Sequence, residues 1–169
     1  MLASGITAMR KTKIYIDTSV INYLNAPHMP QQMQDTLALW DVLVSGDQFD
    51  VIFSDVLEGE IRDCPEPKQD YLLRKMAEIP SAFISLTDEI VALADSYLDF
   101  GVLSAKNRGD LLHIACATVS GCKLIVSWNF KHFVNYKTMD RVNAVHLISG
   151  YDPVRIATPS TIMGELSYE

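Results

Sequence analysis

Three carboxylates in this 169-residue chain stand where an apolar run gives way to a helix-like segment. Asp17 follows Ile14-Tyr15-Ile16, Glu60 lies in the segment after residues 50–53, and Asp110 opens the apolar stretch 111–119. Carboxylates gathered at one point cannot all remain free anions: either their pKa values rise or a cation joins them. Oxygen donors of this kind suit Mg²⁺ or Mn²⁺. A hard cation held by carboxylates orients and activates water for attack on a phosphodiester. Lys106 and Arg108 precede Asp110, and Lys131 and His132 follow a polar turn, Ser127-Trp128-Asn129. These side chains are placed to hold a phosphate backbone locally.

The elements that must position these groups follow from the hydrophobic pattern. Residues 11–17 read as a first strand, and 19–25 as its helix, with Thr18, Ser19 and Asn22 as turn and cap chemistry. The plain alternative for Asp17 is that it only caps this helix. Met33, Leu37, Trp40, Leu43 and Val44 recur at helical spacing, so 31–45 is an amphipathic helix closed by Gly46. Residues 50–53 form strand two, with Ser54 as N-cap of the next helix. There Glu58 and Arg62 are spaced as a surface i,i+4 pair, whereas Glu60 shares a face with Val56, Leu57 and Ile61. A carboxylate on that face needs a partner from elsewhere, and a metal ion is one candidate.

Pro65 and Pro67 start a helix running to about Ile79, and residues 82–86 form strand three. Thr87 caps a helix whose first turn carries Asp88 and Glu89, as the helix dipole prefers. Residues 104–109 read as a basic, flexible loop. Residues 111–119 are apolar nearly all round, so this helix is buried. His113 shares a face with Asp110 and reads as a satisfied polar residue rather than a ligand. Residues 124–126 are strand four, Val142 to Ile148 suggest a helix closed by Gly150, and 154–156 are a short strand five. Thr158-Pro159 then starts a final helix. Alternating strands and helices imply an α/β three-layer sandwich around a parallel sheet of about five strands. In such a sheet the carboxyl ends of the strands converge on one edge, where ligands bind.

Composition limits the classes of function. Half of the residues are hydrophobic, and residues 11–169 read as one domain behind a loose tail, 1–10. No apolar run is fit to span a bilayer. Three cysteines without metal-type spacing favour free thiols and the cytoplasm. The net charge of −7 argues against a general nucleic-acid binder. It does not exclude a nuclease whose carboxylates await a metal. The chain lacks G-x-G-x-x-G and G-x-x-x-x-G-K-[ST], which argues against a nucleotide-binding domain. A metal-dependent phosphatase acting on small esters would use the same acids.

Four segments together resemble a known family. They are Ile14-Tyr15-Ile16-Asp17-Thr18-Ser19, Ser54 through Glu60-Ile61, Asp110-Leu111-Leu112-His113-Ile114-Ala115, and Val126-Ser127-Trp128-Asn129-Phe130-Lys131-His132. In this order they resemble the PIN-domain proteins of the VapC toxin kind, over about residues 12–160. The resemblance implies an α/β/α sandwich and a metal-dependent endoribonuclease that uses Mg²⁺ or Mn²⁺. It also implies a cognate antitoxin and a homodimer. By match to the motif, Asp17, Glu60 and Asp110 are the metal-site acids, and Ser19, or second to it Thr18, is the hydroxyl beside them. The fourth family acid follows strand four, and here Asn129 stands there. Its amide oxygen can coordinate but brings no charge. The alternative is therefore a weak or inactive PIN-fold scaffold that binds RNA or a protein partner.

Overall fold

Ile14, Tyr15 and Ile16 alternate across a strand, and that alternation sorts the whole molecule into layers. The computed structural model describes residues 10–168, so the tail reading, Arg10 apart, lies outside the described residues. Five strands, β1 (Thr12–Ile16), β2 (Phe49–Ser54), β3 (Ser81–Ile84), β4 (Leu124–Val126) and β5 (Arg155–Ala157), form one sheet in the order β3-β2-β1-β4-β5. Every pairing is parallel. The direction of winding reverses between β1 and β4, which makes their carboxyl ends the crevice of the sheet.

The helices are α1 (Thr18–Asn22), α2 (Pro30–Ser45), α3 (Asp55–Arg62), α4 (Lys68–Ala77), α5 (Asp88–Asp99), α6 (Arg108–Val119), α7 (Tyr136–Ser149) and α8 (Pro159–Leu166). On one face, Ile14, Ile16, Val51, Phe53 and Val126 pack with Leu39 and Leu43 of α2, Leu57 and Ile61 of α3, Leu72 of α4 and Ile162 of α8. On the other, Tyr15, Ile52, Ile125 and Ile156 pack with Ile90 and Ala94 of α5, the buried side of α6, and Val142 and Val145 of α7. This is the three-layer α/β/α sandwich that the alternation predicts.

The departures have local causes. The predicted helix 19–25 is α1 followed by a 3₁₀ turn at Tyr23–Asn25. The segment read as a loop, 104–109, is a 3₁₀ turn at Ala105–Asn107 that leads into α6, which begins at Arg108. Strand three stops at Ile84, and the backbone N–H of Leu86 bonds instead to the Asp55 carboxylate at 2.9 Å. α7 starts at Tyr136, well before Val142, because Asn135 caps it by accepting from the N–H of Thr138 at 2.9 Å. Ser54, Thr87 and Thr158 cap their helices as read. Cys64, Cys116 and Cys122 are free thiols.

Candidate functional site

Asp17 occupies the N-cap position of α1, yet its side chain makes no capping hydrogen bond. The carboxylate faces across the crevice instead. Its Oδ2 accepts from Ser19 Oγ at 2.6 Å and from Ser127 Oγ, just past β4, at 2.7 Å. Each hydroxyl in turn accepts a backbone N–H: Ser19 from Trp128 at 2.9 Å and Ser127 from Asn129 at 2.9 Å. Two strand ends are thus laced together through one buried carboxylate, and its Oδ1 lies 3.8 Å from His113 Nε2. Ser19, the hydroxyl expected beside the acids, braces Asp17.

Glu60 finds the distant partner that its helix could not supply. Its Oε2 lies 3.2 Å from Nε2 of His113, a residue only 1% exposed. Glu58 pairs with Arg62, as its spacing requires. His113 Nδ1 is 2.7 Å from the hydroxyl of Tyr15, which is 2.6 Å from Ser54 Oγ. Thr18 Oγ1 lies 3.4 Å from His113 Nε2. With carboxylate oxygens of Glu60 and Asp17 facing Nε2, that nitrogen carries a hydrogen. His113 therefore stands at the centre of the acids, a larger part than the polar residue read from sequence.

Asp110 opens α6 on the neighbouring rim. Its Oδ1 is 3.4 Å from Asn129 Nδ2, while Asn129 Oδ1 accepts the N–H of His132 at 3.0 Å. Asn129 joins the third acid to the turn after β4. Of the expected phosphate-binding cations, Lys106 and Lys131 are exposed and His132 is half-buried near Asp110. Arg108 is paired with Asp95 of α5.

The electrostatics report this convergence. Burial by itself would press the His113 imidazole toward neutrality. The hydrogen bond His113 donates to Glu60 and the charges of Asp17, Glu60 and Asp110 outweigh it and raise the pKa. Burial would likewise raise Glu60, but His113, by hydrogen bond and charge, and the Thr18 hydroxyl hold it below the ordinary value. Asp110 is raised, first by burial and then by the like charges of Asp17 and Glu60, against the opposing charges of His132 and His113.

Among the described residues, no three His, Cys, Asp or Glu side chains are arranged to enclose a metal ion. The donor chemistry nonetheless fits a hard divalent cation. Asp17, Glu60 and Asp110 all act on His113, and the like charge of Asp17 and Glu60 holds the Asp110 carboxyl up. Sequence reading missed Tyr15, Ser54 and the bracing part of Ser127. The signal was a tyrosine inside a buried apolar strand, whose hydroxyl has to find a partner.

No model of a protein family matches the chain, and no curated protein matches it. A solved structure does: VapBC2 from Rickettsia felis, bound to a DNA fragment from their promoter, superposes with a TM-score of 0.54. The match covers 87% of this chain and 98% of that one at 11% sequence identity. What is shared at that identity is the fold, a PIN-like α/β/α sandwich.

Proposed function

We propose that this protein is a divalent-metal-dependent endoribonuclease, the toxin of a bacterial toxin–antitoxin pair acting in the cytoplasm. The supporting observation is geometric: Glu60 and Asp17 lie 3.2 and 3.8 Å from the buried His113 Nε2, and Asp110, on the same rim, is reached by Asn129 at 3.4 Å. Asp17, Asp110 and Glu60 would hold a Mg²⁺ or Mn²⁺ ion, which supplies an activated water and offsets the charge that develops on the phosphate. The chain does the rest of the work. Ser19 and Ser127 fix Asp17 in one orientation by saturating Oδ2. Asn129 ties Asp110 to the turn that carries Lys131 and His132. Those two side chains, with Lys106, hold the phosphates on either side of the scissile bond, whereas Arg108 is committed to Asp95 and has a weaker claim.

An antitoxin, and a second copy of this chain, are the partners that this reading carries. No described helix is long and apolar enough to cross a membrane. The test is cleavage of RNA with added Mg²⁺ or Mn²⁺, alongside a panel of small phosphate esters. Metal-dependent RNA cleavage that disappears in Asp17→Asn supports the reading, and equal cleavage by that variant overturns it. A second reading, a PIN-fold scaffold that binds without cutting, is favoured by Asn129 in place of an acid and by the absence of an enclosing donor set among the described residues. Calorimetry separates the two: no binding of millimolar Mn²⁺ supports the scaffold.

A further inference from the structure

The turn that follows β4 carries an aromatic residue to the surface one peptide after Asn129, which reaches Asp110. This residue, Phe130, is 57% exposed. Exposed aromatics are common enough to need no explanation by themselves. This one stands on a built support. Its ring centroid lies 6.0 Å from that of Trp128, which is only 6% exposed and whose own ring stacks on Tyr23 at 5.6 Å with a 29° tilt. Trp128 is pinned from below, because its Nε1–H donates to Thr36 Oγ1 at 2.8 Å. The backbone of the turn is closed by Phe130 N–H to Trp128 C=O and by Phe133 N–H to Asn129 C=O, both at 2.9 Å. Phe130 is thus an exposed ring leaning at 52° on a Trp128 that is itself held in place.

Resting on the ribonuclease reading above, we propose that Phe130 is a stacking platform for an unpaired base of the RNA bound at this site. A base stacks on any aromatic face without sequence preference, and single strands are bound by pairing such faces with cations along the backbone. Lys131 follows Phe130, is exposed, and forms no ion pair among the described residues. A duplex would keep its bases stacked on one another and offer no face to this ring. A protein partner would instead call for a broad apolar patch. Here one ring rises beside an exposed lysine and a half-buried histidine.

The experiment uses a single-stranded oligoribonucleotide carrying 2-aminopurine, bound to the full chain in EDTA so that no cleavage occurs. Wild type is expected to quench the fluorophore by stacking. Phe130→Ala is expected to bind roughly 5- to 100-fold more weakly, with the quenching lost. Phe130→Trp retains both, and Phe130→Leu, which is apolar but has no π face, loses the quenching. With Mn²⁺ added, Phe130→Ala raises KM and leaves kcat near its original value. Thermal melts of the variants check that the fold is intact. Equal affinity and equal quenching in Phe130→Ala overturn the proposal and leave Phe130 to a protein partner. Absence of binding and quenching by wild type also overturns it. Failure of every variant, wild type included, to cleave RNA with metal counts against the ribonuclease reading instead, and the stacking result in EDTA stands apart from it.

Discussion

Two histidines in this protein share almost everything except their neighbours. His113 on α6 and His146 on α7 are each 1% exposed, and each meets a tyrosine hydroxyl, Tyr15 at 2.7 Å and Tyr97 at 2.6 Å. Beyond that the surroundings part. His146 Nδ1–H donates to the Asp152 carbonyl at 2.8 Å, its Nε2 takes the Tyr97 hydroxyl, and Thr118 Oγ1 lies 3.2 Å away. Every one of those partners is neutral. Burial therefore wins and lowers the His146 pKa, with the Asp152 carbonyl only partly opposing it. His113 is equally buried, but the Glu60 and Asp17 carboxylates face it at 3.2 and 3.8 Å and its pKa moves the other way. Depth sets the size of the cost, and the identity of the second neighbour sets its sign. Within one helical layer, a buried Tyr–His pair is thus a structural joint at His146 and part of a charged cluster at His113.

The comparison breaks most visibly at the acids. Asp17→Asn keeps an oxygen for Ser19 and Ser127 but removes the charge. The expected result is a folded protein whose RNA cleavage falls by at least about 10²-fold, the scale of losing a group that acts on developing charge. Next come the two imidazoles. His113→Leu is expected to lower cleavage roughly 10- to 100-fold, as loss of a residue that orients metal-site acids does. His146→Leu leaves the Tyr97 hydroxyl only Thr118 Oγ1 at 3.2 Å and takes the donor from the Asp152 carbonyl, and it is expected to cost about 1–3 kcal/mol in denaturant unfolding, with activity unchanged. Lost activity in His146→Leu would erase the distinction.

The pH dependence sharpens the same contrast. His146 has a native pKa below its unfolded value of about 6.5, so its contribution is complete above that pH and is lost as pH falls. His146→Gln should flatten the acid limb of a stability–pH profile. His113 has a raised native pKa, so its contribution is complete below about 6.5 and is lost as pH rises through the native value. In the metal-free protein, NMR titration should find the two imidazoles on opposite sides of the model-peptide value. The smallest effect belongs to the exposed Arg108–Asp95 pair, where Arg108→Ala should cost less than about 1 kcal/mol in the melting midpoint.

Strand positions and cap residues were legible because each depends on local pattern. Ile14-Tyr15-Ile16 alternates, Ser54 and Thr158 precede their helices, and strand four lies at residues 124–126 as read. What stayed hidden depends on pairs that the chain brings together late. Glu60 visibly lacked a helical partner, but nothing local named His113, 53 residues on. Asp17 could be read as a cap because Ser127 stands 110 residues away. The start of α7 was missed for a different reason: Tyr136 to Asp140 show no apolar stripe, and only the cap at Asn135 marks it. Arg108 read as a free cation because Asp95 belongs to another helix.

The position of β1 at the middle of the sheet has a consequence for how the chain is made. Its partner on one side, β2, emerges soon after it, but its partner on the other, β4, is encoded more than a hundred residues later. At ribosomal speed that delay is roughly 5 to 20 s. Throughout it, β1 has one unpaired edge, a liability for nascent polypeptides, and Asp17 lacks its Ser127 clamp. A product of interrupted translation that stops short of Ser127 is accordingly sticky and chemically unfinished. The clamp on Asp17 therefore closes only after Ser127 has emerged, long after Asp17 itself.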